Sequence, residues 1–273
     1  MARSRRSEPL DHYLRAWGLE PAGQLAETPT SWLLPVRHVE APAMLKLLKP
    51  TSDEHASAAL LRYFAGIGAV RLLAADENAV LMERADSDPS LTAIACGGND
   101  EAAAAILADC VAQLHAPRTD APPTGLTSLH RWFDALFPHA TRTPLLARCA
   151  AVARRLLATE CETTVLHGDL HHDNVLPSPR GWLAIDPKGL IGERTYEVAN
   201  LLCNPQPHGD IVHRADRMLR VATLYAERLN LDRQRVLGFG LAHAGLSAAW
   251  SLEDGRDPNF RLQCAAVLDP LVN

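Results

Sequence analysis

The sequence predicts an α+β fold with two lobes, in which a small sheet with one main helix precedes a larger and mostly helical lobe. Short apolar runs that end at turn residues dominate the first third of the chain and are typical of β-strands. The remainder is rich in Ala, Leu and Arg at helical spacing. A polar, proline-marked stretch at 86–90 separates the two patterns, so we expect an amino-terminal lobe over 1–85 and a carboxy-terminal lobe over 86–273.

The first lobe is expected to hold two strand hairpins and two helices. The second helix opens with the polar and acidic residues Ser52, Asp53 and Glu54, which favour a helix amino terminus. A polar turn at 75–78 joins the strands of the second hairpin. The predicted strands are 32–37, 43–48, 69–74 and 79–82, and the predicted helices are 9–18 and 52–64.

The second lobe is expected to be helical except for one stretch, 163–186, where short β-type runs surround an irregular loop. A turn at 177–181 folds this stretch into a hairpin. The predicted helices lie near 100–115, 126–137, 144–160, 194–203, 210–229, 232–250 and 257–269.

The composition indicates an ordinary globular protein, because 47% hydrophobic and 22% charged residues allow a substantial core. A net charge of -5 argues against a nucleic-acid partner. Apolar runs stop well short of the ~20 residues that span a bilayer, and no secretion signal is visible. The six cysteines include no Cys-x-x-Cys pair, so we expect reduced thiols in a cytoplasmic protein that does not enter a membrane.

The irregular loop His167-Gly168-Asp169-Leu170-His171-His172-Asp173-Asn174 carries the densest set of ionisable groups. Asp169 and Asn174 are five residues apart, and the hairpin that follows can return Asp186 to the same end. Carboxylate and amide oxygens suit Mg²⁺, which keeps its other positions for phosphate and water. The spacing matches a phosphoryl-transfer loop, in which Asp169 orients and deprotonates the acceptor hydroxyl while Asn174 and Asp186 hold the metal.

This loop and the segment after it, Gly192 to Asn200, resemble the aminoglycoside phosphotransferase family of the protein-kinase-like fold. Within that family they are similar to the branch of streptomycin 6-phosphotransferases and hydroxyurea resistance kinases. The resemblance is strongest over 165–205. It implies a bilobal protein-kinase-like fold, ATP and Mg²⁺ as cofactors, and phosphate transfer to a hydroxyl of a small molecule. A streptomycin 6-kinase-type resistance enzyme is the first expectation, and a kinase of hydroxyurea or another metabolite is the alternative.

The resemblance also implies roles for residues outside the loop. Lys46 would meet the ATP phosphates with Glu54 as its ion-pair partner, although Lys49 on the same segment competes for this role. Backbone groups of Glu83 and Ala85 would pair with adenine.

A cationic aminoglycoside would need carboxylates to bind its guanidinium groups. Asp173, Glu193 and Asp210 are candidates, as are the acids near 253–257. His167 is expected to brace the loop and Glu197 to cap and position the helix that it begins.

Two other classes of protein compete with the kinase interpretation. The residues His167, Asp169, His171, His172 and Asp173 could be zinc ligands of a metallohydrolase, although their order differs from the familiar His-x-His-x-Asp-His and strands are scarce. A nucleotide-binding module without catalysis would be expected to lack some of the key polar residues, yet all of them are present.

Overall fold

A computed structural model describes residues 4–50 and 56–273 of the chain. Antiparallel strands fill its amino-terminal part and helices its carboxy-terminal part, which confirms the predicted α+β class. The last strand of the first part ends at Glu83 and the next helix begins at Leu91. The lobe boundary predicted between residues 85 and 86 falls in this connection and stays a prediction.

The amino-terminal part is one twisted sheet flanked by two helices. Within the described residues, its strands follow the order β1-β3-β4-β6-β5, and β2 pairs with the outer side of β3. The elements are α1 (Ser4–Ala16), β1 (Glu20–Pro21), β2 (Ala26–Glu27), β3 (Ser31–His38), β4 (Ala41–Leu48), α2 (Ser57–Phe64), β5 (Leu72–Ala75) and β6 (Ala79–Glu83).

Side-chain alternation on β4 gives the two faces of this sheet different partners. Ala43, Leu45 and Leu47 pack in one apolar cluster with Tyr13 of α1. Lys46 points to the opposite face and is nevertheless 1% exposed. The β3–β4 hairpin therefore delivers a buried lysine to the side of the sheet that faces the second lobe.

The predicted turn at 75–78 forms around Asp76, whose carboxylate accepts from the backbone N–H of Asn78 and Ala79 at 2.8 and 2.9 Å. Tyr13 of α1 donates to the same carboxylate oxygen at 2.9 Å. The strand before the turn begins at Leu72, three residues later than predicted. The predicted start of the second helix at 52–54 lies outside the described residues.

The carboxy-terminal part is built on a long helix, α10, that packs against four others, α6, α7, α9 and α11. A π-helical turn at Ala95–Asn99 joins α3 to α4. The elements are α3 (Leu91–Ile94), α4 (Asp100–Leu114), β7 (Thr127–Ser128), α5 (Leu129–Trp132), α6 (Pro144–Ala158), β8 (Thr163–Leu166), β9 (Val175–Ser178), β10 (Gly181–Ala184), β11 (Leu190–Glu193), α7 (Ala199–Leu202), α8 (Gly209–Val212), α9 (Ala215–Leu229), α10 (Arg233–Glu253) and α11 (Asn259–Leu268).

Three predictions for this part were wrong in detail. The single helix predicted over 210–229 is interrupted at His213 and Arg214, which separate α8 from α9. Strand β11 was missed, and the helix predicted from residue 126 begins with strand β7 instead. The two strands pair with each other, and β11 also pairs with β8. Each run is short, and their stability comes from partners distant in sequence, which local patterns do not reveal.

Among the helices of residues 4–50 and 56–273, none combines the length and apolar character needed to cross a bilayer. All six cysteines are described and carry free thiols. Four of them are buried, whereas Cys96 and Cys161 are exposed.

The contact between α10 and α6 is so close that only glycine fits at residue 245. A Cβ atom there would lie 2.4 Å from the Cβ atom of Cys149. We expect Gly245→Ala to lower the free energy of unfolding by about 1–3 kcal/mol, although Ala is the better helix former. Urea unfolding measures this, with Gly97→Ala as the matched control because a Cβ there meets nothing within 4 Å. Equal losses in both variants would contradict the packing argument.

Candidate active site

The 167–174 loop starts where β8 ends and runs through one turn of 3-10 helix, His172–Asn174, into β9. Gly168 turns the chain with a φ of 84°, a conformation that favours glycine. A Cβ atom at this position would also lie 2.6 Å from Leu190 of β11. The strand that the sequence analysis missed thus fixes the shape of the loop.

His167 ties the loop to the strand that follows it. Its side chain is fully buried, its Nδ1 accepts from the backbone N–H of Asp169 at 3.3 Å, and its Nε2 donates to the carbonyl of Ile185 at 2.8 Å. Its own carbonyl accepts from the N–H of Lys188 at 2.8 Å. The residues on both sides of Asp186 are therefore held against the loop, and the structure agrees with a bracing role for His167.

Glu197 supports the loop by accepting hydrogen bonds from its backbone. Its buried carboxylate accepts from the backbone N–H of His167 at 2.8 Å and of Gly168 at 3.0 Å. His115 Nε2 lies 3.0 Å from the same carboxylate. Burial would raise the pKa of Glu197, but the hydrogen bond and charge of His115 and the N–H of Gly168 lower this pKa below its ordinary value.

The hairpin brings Asp169, Asn174 and Asp186 to one place, as the spacing predicts. Asn174 Nδ2 donates to the carbonyl of Asp169 at 2.8 Å, which leaves the amide oxygen of Asn174 as the atom for a metal. The N–H of Ile185 donates to the carbonyl of Asn174 at 2.9 Å. Asp186 itself adopts a φ of 58°, which is uncommon for a residue other than glycine and is typical of functional sites.

Lys46 reaches this group from the sheet, because its Nζ lies 2.7 Å from Oδ1 of Asp186. Lys49, the competing lysine, instead pairs with Glu27 at 3.0 Å and lies over the ring of Trp32 at 5.3 Å. The geometry therefore favours Lys46. Its predicted partner Glu54 lies outside the described residues, so that ion pair stays a prediction.

Glu83, in the segment predicted to meet adenine, is held by Arg180, which the sequence analysis did not single out. Arg180 Nε donates to Glu83 at 2.8 Å, and its hydrogen bonds lower the pKa of that carboxyl. The backbone N–H of Glu83 donates to the carbonyl of Arg71 at 2.9 Å. The backbone group of Glu83 that could pair with adenine is therefore the carbonyl oxygen of Glu83. Ala85, the second predicted adenine contact, is partly exposed just beyond β6.

The three acids proposed for substrate binding differ in burial and in their partners. Asp173 is exposed and accepts from Thr92 Oγ1 at 2.8 Å. Asp210 is exposed on α8. Glu193 is fully buried and forms an ion pair with Arg235, whose Nε donates to it at 2.7 Å. The prediction for Glu193 is corrected, because a saturated and buried carboxylate has no face for a substrate.

A cavity of 530 Å³ opens beside Asp169. One wall is formed by the end of α10, the start of α11 and the residues between them, including Glu253, Asp254 and Asp257. The role predicted for these acids in substrate binding stays a prediction. Trp132 and Trp250 pack edge to face at 4.8 Å in the same wall. The lining side chains are Trp132, Asp169, Lys188, Asn200, Gln206, His243, Ser247, Trp250, Ser251, Glu253, Asp254, Arg256, Asp257, Phe260 and Arg261.

The zinc-hydrolase alternative lacks a ligand set. Nδ1 of His171 accepts from the N–H of Asp173 at 3.3 Å. His172 is 2% exposed, and burial lowers its pKa to about 3. Across residues 4–50 and 56–273, no three His, Cys, Asp or Glu side chains converge to hold a metal ion. The five proposed zinc ligands are therefore not a zinc site.

Lys46 of the sheet pairs with Asp186 of the hairpin, next to the loop that carries Asp169 and Asn174. This combination defines a phosphotransferase with a protein-kinase-like fold. Residues 16–255 match the family described as "Aminoglycoside/hydroxyurea antibiotic resistance kinase". The chain therefore belongs to this family, and it is an ATP-dependent kinase that transfers phosphate to a hydroxyl of a small molecule.

Curated relatives and solved structures agree with this assignment. The chain is 44% identical to a streptomycin 3''-kinase of Klebsiella pneumoniae over 89% of this chain and 92% of that protein. It is 33% identical to a streptomycin 6-kinase of Streptomyces griseus over 88% and 80%. A thermostable mutant of the aminoglycoside phosphotransferase APH(4)-Ia, solved with ADP and hygromycin B, shares the fold with a TM-score of 0.64, 17% identity and coverage of 94% and 97%.

Replacing the carboxylate behind the loop should cost stability in a pH-dependent way. Because the folded state lowers the pKa of Glu197 from 4.5, its stabilisation is present above pH 4.5 and is lost as pH falls through the folded value. We expect Glu197→Gln to lower the free energy of unfolding by about 1.5–3 kcal/mol at pH 7.5, with a smaller difference near pH 4. Urea unfolding across this range measures both.

The matched control is Glu162→Gln, because Glu162 pairs with Arg194 at 3.2 Å on the surface with its side chain 62% exposed. A change below about 0.5 kcal/mol is expected for this variant at every pH. Equal stability of Glu197→Gln and the parent at pH 7.5 would contradict the supporting role of Glu197.

Proposed function

We propose that the chain phosphorylates streptomycin, and that the cavity beside Asp169 is where the antibiotic binds. The observation that carries this proposal is that Asp169 and the acids Glu253, Asp254 and Asp257 line one cavity. Streptomycin has two guanidinium groups, which carboxylates bind by charge-assisted hydrogen bonds. A volume of 530 Å³ is in the range of pockets for drug-sized ligands.

The nucleotide would lie between the lobes, with Lys46 at its phosphates. The donor set fits Mg²⁺, since it offers the carboxylate of Asp186 and the amide oxygen of Asn174 and leaves other positions for phosphate and water. When bound, Mg²⁺ would neutralise charge on the β- and γ-phosphates. Lys46 would add a fixed positive charge beside the same oxygens, held ready by its 2.7 Å contact with Asp186.

The loop would orient the acceptor for in-line transfer. As the hydroxyl oxygen bonds to the γ-phosphorus, its proton passes to the carboxylate of Asp169 and the bond from the phosphorus to ADP breaks. No covalent enzyme intermediate is needed, and catalysis consists of positioning and charge neutralisation. Asp169 would be held for this step by its N–H, which donates to His167, and by the side-chain amides of Asn174 and Asn200, which donate to its carbonyl and its carboxylate.

The position of phosphorylation is a finer proposal. The sequence analysis predicted a 6-kinase type, and relatives named streptomycin 6-kinase are 33% and 34% identical. The relative named streptomycin 3''-kinase is 44% identical and covers more of its own length. We therefore propose the 3''-hydroxyl as the first acceptor to test and the 6-hydroxyl as the second.

Hydroxyurea is the alternative acceptor, because a hydroxyurea phosphotransferase of Kitasatospora aureofaciens is 32% identical over 89% of the chain. Hydroxyurea is small and uncharged, so it would fill little of the cavity and would not use its acidic wall. Cavity size and charge therefore favour the aminoglycoside.

The assay is ADP release with ATP, Mg²⁺ and streptomycin or hydroxyurea, followed by NMR of the product. We expect turnover with streptomycin, and a kcat lower by about 10²–10⁴ in Asp169→Asn with ATP affinity retained. Unchanged turnover in that variant would refute the role of Asp169. Turnover with hydroxyurea alone would replace the acceptor while keeping the kinase mechanism.

Removing single charges from the acidic wall should weaken acceptor binding selectively. We expect Glu253→Gln, Asp254→Asn and Asp257→Asn each to raise the KM for streptomycin about 3- to 10-fold, because one charge-assisted contact is lost. The amides keep hydrogen-bond acceptors, including the one at Asp257 that receives the N–H of Asn259 at 3.0 Å. The KM for ATP should stay unchanged.

The matched control is Glu227→Gln, an exposed acid on α9 outside the cavity. Its KM values should equal those of the parent. If all three wall variants also bind streptomycin as the parent does, the acidic wall is not the guanidinium site.

A further inference from the structure

A buried amide lies directly against the carboxylate of Asp169. Asn200, in the first turn of α7, is 7% exposed and lines the cavity. Its Nδ2 donates to Oδ1 of Asp169 at 3.3 Å. The backbone of Asp169 donates to Nδ1 of His167 and accepts from Nδ2 of Asn174. Among residues 4–50 and 56–273, the hydrogen bond to the carboxylate itself comes from Asn200.

The orientation of this amide is determined by two donors on its oxygen. Asn204 Nδ2 donates to Oδ1 of Asn200 at 2.8 Å, and Arg261 Nη1 lies 3.4 Å from the same oxygen. Both partners are pure donors at these atoms, so only the oxygen of the Asn200 amide can face them. The NH₂ group must therefore face Asp169.

One partner of the amide, Asn204, is itself held by a buried ion pair. Arg217 is 3% exposed and contacts both oxygens of Asp100 at 2.8 and 2.9 Å. Its guanidinium also donates to the carbonyls of Leu202 at 2.7 Å and Asn204 at 2.8 Å. A network thus extends from α4 and α9 to the end of α7, and it terminates at the carboxylate of Asp169.

We propose that Asn200 is a positioning residue for phosphoryl transfer. The side-chain N–H of Asn200 donates to Oδ1 of Asp169 and fixes the rotation of this carboxylate. Oδ2 of Asp169 is then the oxygen that receives the proton of the acceptor hydroxyl. Asn200 acts through Asp169 and gives up no proton of its own. This inference rests on the proposed role of Asp169, and it extends the machinery to a residue 31 positions away in sequence.

Asn200→Asp isolates this contact from the packing of the amide. An aspartate has nearly the same shape and keeps both acceptor contacts, with Asn204 and Arg261, while the donor to Asp169 is lost. It also sets a second carboxylate oxygen against Asp169. Asn200→Ala removes all three contacts. A merely structural role therefore predicts that the Asp variant is nearly as active as the parent and that the Ala variant is the worst.

The positioning role predicts the opposite order. We expect kcat to fall about 10- to 100-fold in Asn200→Ala and further in Asn200→Asp, while the KM and the binding affinity for ATP change less than about threefold. Steady-state kinetics with ATP and streptomycin and titration of ATP binding measure the split. A kcat of Asn200→Asp within about threefold of the parent overturns the proposal. If Asn200→Asp does not fold, a kcat of Asn200→Ala within the same limit overturns it.

Two further variants separate this inference from the proposed function. Asn230→Asp introduces the same change at an exposed residue that ends α9, and its kcat should equal that of the parent. Asp169→Asn is measured in the same assay. If Asp169→Asn loses turnover while both Asn200 variants keep it, the positioning role alone fails. If Asp169→Asn keeps turnover, the proposed function of Asp169 fails and the inference fails with it.

Discussion

The site depends on one buried carboxylate, that of Glu197. A loop that turns sharply beside the cleft leaves backbone N–H groups without strand partners, and such groups are costly when buried. Glu197 accepts from the N–H of both His167 and Gly168, and His115, the residue that caps the end of α4, lies 3.0 Å from the same carboxylate. The end of helix α4 and the segment after β11 therefore hold the loop in place.

A second constraint joins the sheet to the loop. Gly68 and Val70 exchange backbone hydrogen bonds with Ala184 at 2.8 and 3.0 Å, so the end of β10 is bonded to the segment that follows α2. Asp186 lies two residues beyond this junction and meets Lys46 from the sheet. The lysine and the aspartate are thus aligned by backbone pairing as well as by their charges, which explains how two residues so distant in sequence share one geometry.

The part of the site that is local in sequence could be predicted, and the part that comes from distant segments could not. The spacing of Asp169, Asn174 and Asp186 is contained in one hairpin, and Lys46 lies on a clear apolar strand. Strand β11 was missed because its four residues gain stability only from β7 and β8. Glu193 was misassigned because an acid at the end of a strand gives no sign that Arg235 of α10 will bury it. Asn200 stood in the segment that carried the family resemblance, yet its contact with Asp169 requires the helix α7 to fold back on the loop.

The cavity wall has a different origin from the groups that we propose for phosphate and metal binding. The carboxylates and aromatic rings that face Asp169 come mostly from the end of α10 and the start of α11, whereas Lys46, Asn174 and Asp186 come from the sheet and the hairpin. Sequence drift in the last fifty residues can therefore exchange one acceptor for another while the chemistry stays intact. Arg261 is the exception, since it belongs to the wall and also contacts Asn200. A substitution of Arg261 would change both the cavity that selects the acceptor and the support of Asn200, so acceptor choice and transfer rate would change together.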